Sequence, residues 1–284
     1  MTVTDKDGGN GSNTRSVTVT PPSTSQVLVG AGDIARCSLT NAENTAKIID
    51  TIPGTVFVAG DNAYENGTIT EYQTCYQPTW GRFFARTMPA AGNHEYNSPG
   101  ATGYYQYFGA KAGDPSKGYY SYELGSWHVI VLNSNISTTA TSPQVAWLRA
   151  DLAANTKTCT VAYWHHPRFN SGPVGNNGNL QPLWDALYQF NADLVVVAHE
   201  HLYERFAPQT PTGVADPARG IRQFTVGTGG AGNVSSFGTI QPNSEARYLD
   251  DFGVLKLTLF DGGYSWKFIT VSKPFSDSGS GSCH

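Results

Sequence analysis

Charge is scarce in this 284-residue sequence: Asp, Glu, Lys and Arg make up 14% of it, against roughly 25% in soluble proteins at large. Eighteen basic residues face 22 acidic ones, for a formal net charge of −4. A nucleic-acid binder would carry a basic surface, so none is expected here, and the acidity is too mild for a disordered acidic tail. The chain holds no run of ~18 apolar residues, so no membrane span is expected. Its first residues do not show the charged-then-apolar order of a secretory leader, so no signal peptide is expected within it. No CxxC pair occurs, which argues against a thiolate zinc knuckle. HExxH is also missing; His199-Glu200-His201 spaces its histidines by only two, against a zinc protease.

What is present describes a packed globule. Apolar residues make up 39%, with 13 Phe, 15 Tyr and 6 Trp, too many for disorder. At ~100–200 residues per domain, the length fits one large or two small domains. The four cysteines are Cys37, Cys75, Cys159 and Cys283. Abundant Gly, Ser, Thr, Asn and Tyr with little Lys and Glu is a balance common in exported proteins. An even cysteine count then reads as two disulfides in a secreted or extracytoplasmic protein; four buried thiols are the competing reading. Four cysteines allow three pairings. Sequons at Asn10, Asn66, Asn135 and Asn233 carry glycans only in a eukaryotic secretory host.

Residues 1–20 differ from the rest. Thr2–Thr4 and Val17–Thr20 alternate Val and Thr, which favours strands, around the turn-rich Asp5–Ser12. This piece resembles the last hairpin of a PKD-type (immunoglobulin-like) domain, which implies neighbouring extracellular modules in a longer parent chain. Asp5, Asp7 and Asn10 lack EF-hand spacing and a closing Glu, so they read as a polar turn rather than a calcium loop. Residues 21–25 read as a linker and 26–284 as one further domain.

From Gln26 the pattern becomes mixed α/β. Apolar runs at 27–32, 55–60, 88–91, 159–164 and 194–198 read as strands. Helices are expected over 41–50, 71–84, 142–153 and 180–191, the third with Ser142 as N-cap and Pro143 at its first position. Tyr119–Leu132 reads as a hairpin turning at Gly125, and strands over 221–226, 253–259 and 264–271 finish the chain. Asn170–Asn179 reads as a mobile loop.

Five of those strands end in polar clusters, and these clusters are the informative feature: Gly32-Asp33, Gly60-Asp61-Asn62-Ala63-Tyr64, Gly92-Asn93-His94-Glu95, His165-His166-Pro167 and His199-Glu200-His201. Ligand sites of open α/β sheets collect at strand carboxyl ends, so these distant residues are expected on one edge. Two Asp, an Asn, a Tyr and several His suit hard or borderline metals such as Fe, Zn, Mn or Co. Seven or eight donors exceed one tetrahedral zinc and suit two metals sharing a carboxylate. Such a pair generates a hydroxide and holds both oxygens of a phosphoryl displacement. Each motif alone is weak, since a lone Gly-Asp is usually a turn; five in series are not.

The ordered set GD, GDxxY, GNH(D/E), H and HxH resembles the calcineurin-like metallophosphoesterase signature. Tyr64 in GDxxY resembles the purple acid phosphatase branch, as does His199–Arg205, similar to its GHxHxYER segment. The resemblance runs from Val27 to Val271, with two departures: Ala198 replaces a glycine, and His165 and His166 compete for one ligand role. The family's His-any-Pro pattern favours His165. The resemblance implies a β-sandwich of two mixed sheets flanked by helices, with metals at the strand carboxyl ends. It implies that Asp33, Tyr64 and His201 bind metal one, Asp61 bridges, and Asn93, His165 and His199 bind metal two. A tyrosinate favours Fe(III) at the first position, with Fe(II), Zn(II) or Mn(II) at the second. It further implies a metal-held hydroxide attacking the phosphorus of a small phosphate ester, with His94 contacting the phosphoryl group and protonating the leaving alkoxide. His166 and Arg168 are candidate phosphate contacts by position, against a structural or surface role; Glu95 reads as structural.

On that layout, Cys37 and Cys75 fall in loops after the Asp33 and Asp61 strands, and Cys159 begins a strand at the opposite edge. This favours Cys37–Cys75 and Cys159–Cys283. Loops 97–118, 170–179 and 230–248 are expected to shape the substrate pocket, with Tyr104, Tyr105, Tyr107 and Phe108 either lining it or packing in the core. A phosphomonoesterase is the leading expectation. A phosphodiesterase of the same superfamily is the alternative, and a non-catalytic extracellular binding module is the alternative of a different class.

Overall fold

The computed structural model describes residues 25–232 and 236–284; the expected PKD-like remnant and nearly all of the linker lie outside them. Two large sheets face each other. The first runs Asp277–Ser282, Gly263–Thr270, Gly253–Phe260, Gln26–Ala31, Thr55–Ala59, Thr87–Ala90. The second runs Ser244–Tyr248, Tyr203–Phe206, Arg222–Val226, Leu194–Val197, Cys159–Tyr163, Trp127–Val131, Tyr120–Leu124. Both are mixed: in the first sheet Gln26–Ala31, Thr55–Ala59 and Thr87–Ala90 are parallel at one side and the remaining pairs antiparallel, and in the second the parallel pairs lie between antiparallel ones. The central strands are apolar along their whole length because both their faces are covered.

Large side chains of the two sheets meet between them: Phe57 against Tyr163, Phe224 against Trp266, and Tyr203 stacked on Phe268 at 4.0 Å. The outer face of the second sheet packs Ile130, Ala162 and Val195 under helices Pro143–Ala154 and Gln181–Gln189. Ser142 caps the first of these, accepting the Val145 N–H with Pro143 behind it. Helix Asn41–Asp50 crosses between two parallel strands of the first sheet and buries Ala42, Ala46 and Ile49.

Register matters most for the site. Ala31 pairs with Val58, and Ala59 with Ala90, so three parallel strands end nearly level. In the second sheet Tyr163 pairs with Val196, and Val197 with Thr225. The two edges are stitched together: Gly32 donates to the Val226 carbonyl, and His165 Nδ1 lies 2.9 Å from the Ala59 carbonyl.

Four expectations need correction. The 71–84 helix breaks into Ile69–Glu71, a π turn Tyr72–Tyr76 and a 3₁₀ segment Trp80–Arg86, because Pro78 cannot supply an interior helical N–H. The 97–118 stretch contains helix Thr102–Phe108, which buries Tyr104 and Phe108 in the core and stacks Tyr107 on Tyr72 at 4.8 Å. The 170–179 stretch is tied down rather than loose: Glu200 accepts from the Asn170 amide and the Val174 N–H, and Glu204 from the Ser171 N–H. Strands Tyr203–Phe206, Ser244–Tyr248 and Asp277–Ser282 escape the sequence reading. The last is Gly/Ser-rich and takes its conformation from pairing with Gly263–Thr270. Both disulfides form, Cys37–Cys75 and Cys159–Cys283, with Cα separations of 5.1 and 5.4 Å.

Candidate metal centre

The centre assembles where the two sheet edges meet. Asp33 and Asp61 lie two residues beyond their strands and are fully buried. Both adopt left-handed backbone, with φ of 57° and 50°, as does His199 at 72°. Non-glycine residues seldom do so, and such conformations persist where surrounding bonds over-determine them. Here the Asp33 N–H donates to the Gly60 carbonyl and the Ile34 N–H to the Asp61 carbonyl. Gly92 must be glycine for a different reason: a Cβ there would lie 2.2 Å from Asp61 Oδ1.

The seven expected donors form one chain of contacts. His201 Nε2 lies 3.2 Å from the Tyr64 hydroxyl and 3.2 Å from Asp33 Oδ1. Tyr64 donates to Asp33 Oδ1 at 2.6 Å and reaches Asp61 Oδ2 at 3.1 Å. Asp61 Oδ2 lies 3.2 Å from His165 Nε2. That nitrogen is also 3.0 Å from Asn93 Oδ1 and 3.2 Å from His199 Nδ1. Asp61 thus stands between a Tyr64/Asp33/His201 half and an Asn93/His165/His199 half.

Of the two adjacent histidines, His165 is the one that contacts Asp61 and Asn93, while a ring nitrogen of His166 lies within 4.8 Å of those of His165 and His199. The Ala59 carbonyl can only accept, so His165 Nδ1 keeps a proton directed at it, and Nε2, which faces Asp61, is the nitrogen free to ligate once its own proton has left. His166 lies alongside, its ring 4.4 Å from that of His199, with Nδ1 2.8 Å from Ser134 Oγ. His94 donates its backbone N–H to Asp61 Oδ1 at 2.8 Å. Its Nδ1 is held by the Glu65 carbonyl at 2.6 Å, and its Nε2 is 3.8 Å from Asp61 Oδ2. Arg168 is not brought to the cluster: its guanidinium bonds to Gln181 Oε1 and the Pro211 carbonyl and lies over the Phe169 ring.

Electrostatics fit a cation site. Burial alone would raise both carboxyls, but His201 facing Asp33 and His165 facing Asp61 hold them below the usual range. Burial likewise opposes charge on His165, yet Asp61 and Asp33 push it up to about 9. Burial and the neighbouring imidazoles push His166 down to about 3 and His199 down to about 4. Two buried carboxylates are thus compensated by protons on the very nitrogens that would ligate, and a bound cation takes over that compensation as those protons leave. The mixed O/N donor set and its number suit two metals of the Fe, Zn or Mn type. Tyr64, pushed well above its ordinary value by burial and both carboxylates, ionises only with a strong Lewis acid on its oxygen.

Two contributors escaped the sequence reading. Ser134 lies just past a strand, Trp127–Val131, that carries no Gly-Asp or His motif at its end to mark it. Glu200, between the two histidines of HxH, faces the 170–175 loop rather than the donors. Glu95 is structural, as expected: its carboxylate gathers the N–H groups of Asp61, Asn62 and Gly92.

The calcineurin-like phosphoesterase family model matches residues 29–203. Among curated proteins, purple acid phosphatase 23 of Arabidopsis thaliana is 30% identical over 66% of this chain and 50% of its own length. Purple acid phosphatase 22 of the same plant is 30% identical over 87% of this chain and 61% of its own. The chain thus spans about half the length of these relatives. Among solved structures, purple acid phosphatase PPD1 from yellow lupin superposes with a TM-score of 0.71 at 20% identity, covering 92% of this chain and 54% of that one. GAP50 of Plasmodium, described as the anchor in the inner membrane complex, superposes with a TM-score of 0.70 at 14% identity, covering 92% and 89%. The matched span holds all seven donors, from Asp33 to His201, and so the chain belongs to the calcineurin-like phosphoesterase family, within it resembling the purple acid phosphatases.

Proposed function

We propose that this protein is a secreted or extracytoplasmic dimetal phosphoesterase that hydrolyses phosphate monoesters. One observation carries the reading: seven O and N donors from five strand ends meet in an unbroken chain of contacts around two buried carboxylates. Asp33, Tyr64 and His201 would hold one ion, Asn93, His165 and His199 the other, with Asp61 between them. The Tyr64 oxygen favours Fe(III) in its half, with Fe(II), Zn(II) or Mn(II) opposite. When bound, the two ions supply a nucleophile from water at neutral pH and offset charge on the phosphoryl oxygens.

The protein's own groups do the rest. His94 Nδ1 is committed to the Glu65 carbonyl, so Nε2 alone faces the reacting region; in the imidazolium form it can hand its proton to the departing alkoxide. His166 stays neutral, and the Ser134 hydroxyl can donate to its Nδ1, leaving Nε2–H to contact a phosphoryl oxygen. Arg168, committed elsewhere, has no part in this reading. Two disulfides support an oxidising compartment.

The test is kcat/KM on an aryl phosphate monoester and the matching diester, with metals quantified in the same batch, for the wild type and Asp61→Asn. Monoester preference, lost together with both metals in Asp61→Asn, is the expected result. Diester preference reassigns the protein as a phosphodiesterase. No turnover of either ester with two metals bound makes it a binding module.

A further inference from the structure

A cleft of about 560 Å³ opens beside the second half of the centre. Its inner wall is Ser134, whose hydroxyl accepts the His166 N–H at 3.1 Å and lies 2.8 Å from His166 Nδ1. The segment that forms this wall is fastened to the GNHE loop. Asn135 donates to the Ala91 carbonyl at 3.1 Å, and the Asn133 amide to the Tyr96 hydroxyl at 2.6 Å. The far wall carries Asn177 and Asn179. Thr138, nearly fully buried, crosses between the walls by donating to the Asn179 carbonyl at 2.8 Å. Ser137 and Thr139 stand exposed at the rim.

The lining is hydroxyl and amide over small aliphatic surface. Among the described residues it includes no charged side chain and no aromatic one. A second phosphate would find no cation there. A nucleobase would find no ring to stack on. A sugar or polyol, with several hydroxyls and short apolar C–H faces, matches both halves of the lining.

We propose that this cleft receives the alcohol portion of the substrate and selects neutral polyhydroxylated alcohols, so that the preferred substrates are sugar or polyol monophosphates. The proposal rests on the phosphoesterase reading above and names its substrate class. Ser134 is the joint: by holding His166 it ties the position of the cleft wall to that of the imidazole facing the phosphoryl group.

The experiment compares kcat/KM for three primary alkyl phosphates of matched leaving group: a hexose 6-phosphate, the corresponding hexose bisphosphate and a nucleoside 5′-monophosphate, with an aryl phosphate as reference. The wild type is expected to favour the hexose 6-phosphate by about tenfold or more over the other two. Ser137→Lys, at the exposed rim, is expected to raise the bisphosphate rate relative to the hexose 6-phosphate by about tenfold, the worth of one charged hydrogen bond. Equal rates on all three alkyl esters, or a Ser137→Lys protein whose preferences do not move, would overturn the cleft assignment while the aryl rate upholds the phosphoesterase reading. Failure to turn over even the aryl ester overturns that reading and the proposal with it.

Discussion

Glu95 Oε2 accepts the backbone N–H of Asp61 at 2.9 Å. The same oxygen takes the Gly92 N–H at 2.6 Å, while Oε1 takes the Asn62 N–H at 2.8 Å and the Tyr72 hydroxyl at 3.0 Å. One buried side chain thus sets the spacing between the loop that presents Asp61 and the loop that presents Asn93. Burial and the nearby Asp61 charge push its carboxyl up to about 7, against the pull of those N–H donors.

Glu95→Ala should therefore damage both stability and the centre. It leaves three buried N–H groups unpaired, at roughly 1–3 kcal/mol each before relaxation or entering water reduces the loss. A loss of about 3 kcal/mol in denaturant unfolding, with less than one metal per chain by elemental analysis, is expected. Wild-type stability and metal content would show that Glu95 is a bystander.

His94→Ala should separate metal binding from proton transfer. None of the seven donors is removed, so metal content should hold. kcat should fall by roughly 10²–10⁴-fold, more for alkyl esters than for aryl esters, whose departing phenolate needs a proton less. An unchanged alkyl rate removes His94 from the reaction.

A pH effect on stability is expected far from the centre. His128 Nδ1 lies 2.8 Å from Glu123 Oε1 and its Nε2 2.7 Å from Asp151 Oδ2. Burial opposes the charge, but the two carboxylates outweigh it and raise the folded pKa above the ordinary 6.5. A raised histidine contributes fully below the unfolded value and loses that contribution as pH climbs through the folded one. Wild type should exceed His128→Gln by on the order of 1 kcal/mol at pH ~5.5, since Glu123 is half exposed and screened. The gap should narrow as pH rises beyond 6.5 and through the raised folded value. A gap that stays constant across that range would mean the ring is never charged.

The two disulfides should be distinguishable. Cys159–Cys283 closes a separation of 124 residues and Cys37–Cys75 one of 38, so each Ser/Ser replacement should cost about 2–4 kcal/mol, the longer loop somewhat more. Only loss of Cys37–Cys75, which joins segments next to Asp33 and Tyr64, should also weaken metal retention under chelator challenge. Free thiols titrating in the denatured, unreduced protein would refute both pairings.

The motifs were legible because each is local: an apolar run, a turn, then a donor. That logic placed five polar clusters on one edge, the resemblance picked Asp33, Asp61, Tyr64, Asn93, His165, His199 and His201 from them, and the structure gathers all seven at one place. The same logic failed for Arg168, two residues from His166, because the chain turns there and the guanidinium finds partners in Gln181 and Pro211. It left Tyr104 and Phe108 open between pocket and core, because an aromatic cluster looks the same in a sequence either way; the structure buries both in the core.

By itself, then, the order of residues determined the apolar strands that carry the site, the donors placed after them and the chemistry those donors suit, since these depend on neighbours within a few positions. Only the tertiary structure decided how Glu95 joins two loops, that Ser134 holds His166, and that a hydroxyl-lined cleft opens at Ser134. Those outcomes depend on which strands pair, in what register and at what separation, and the partners lie roughly 30 to 170 residues apart.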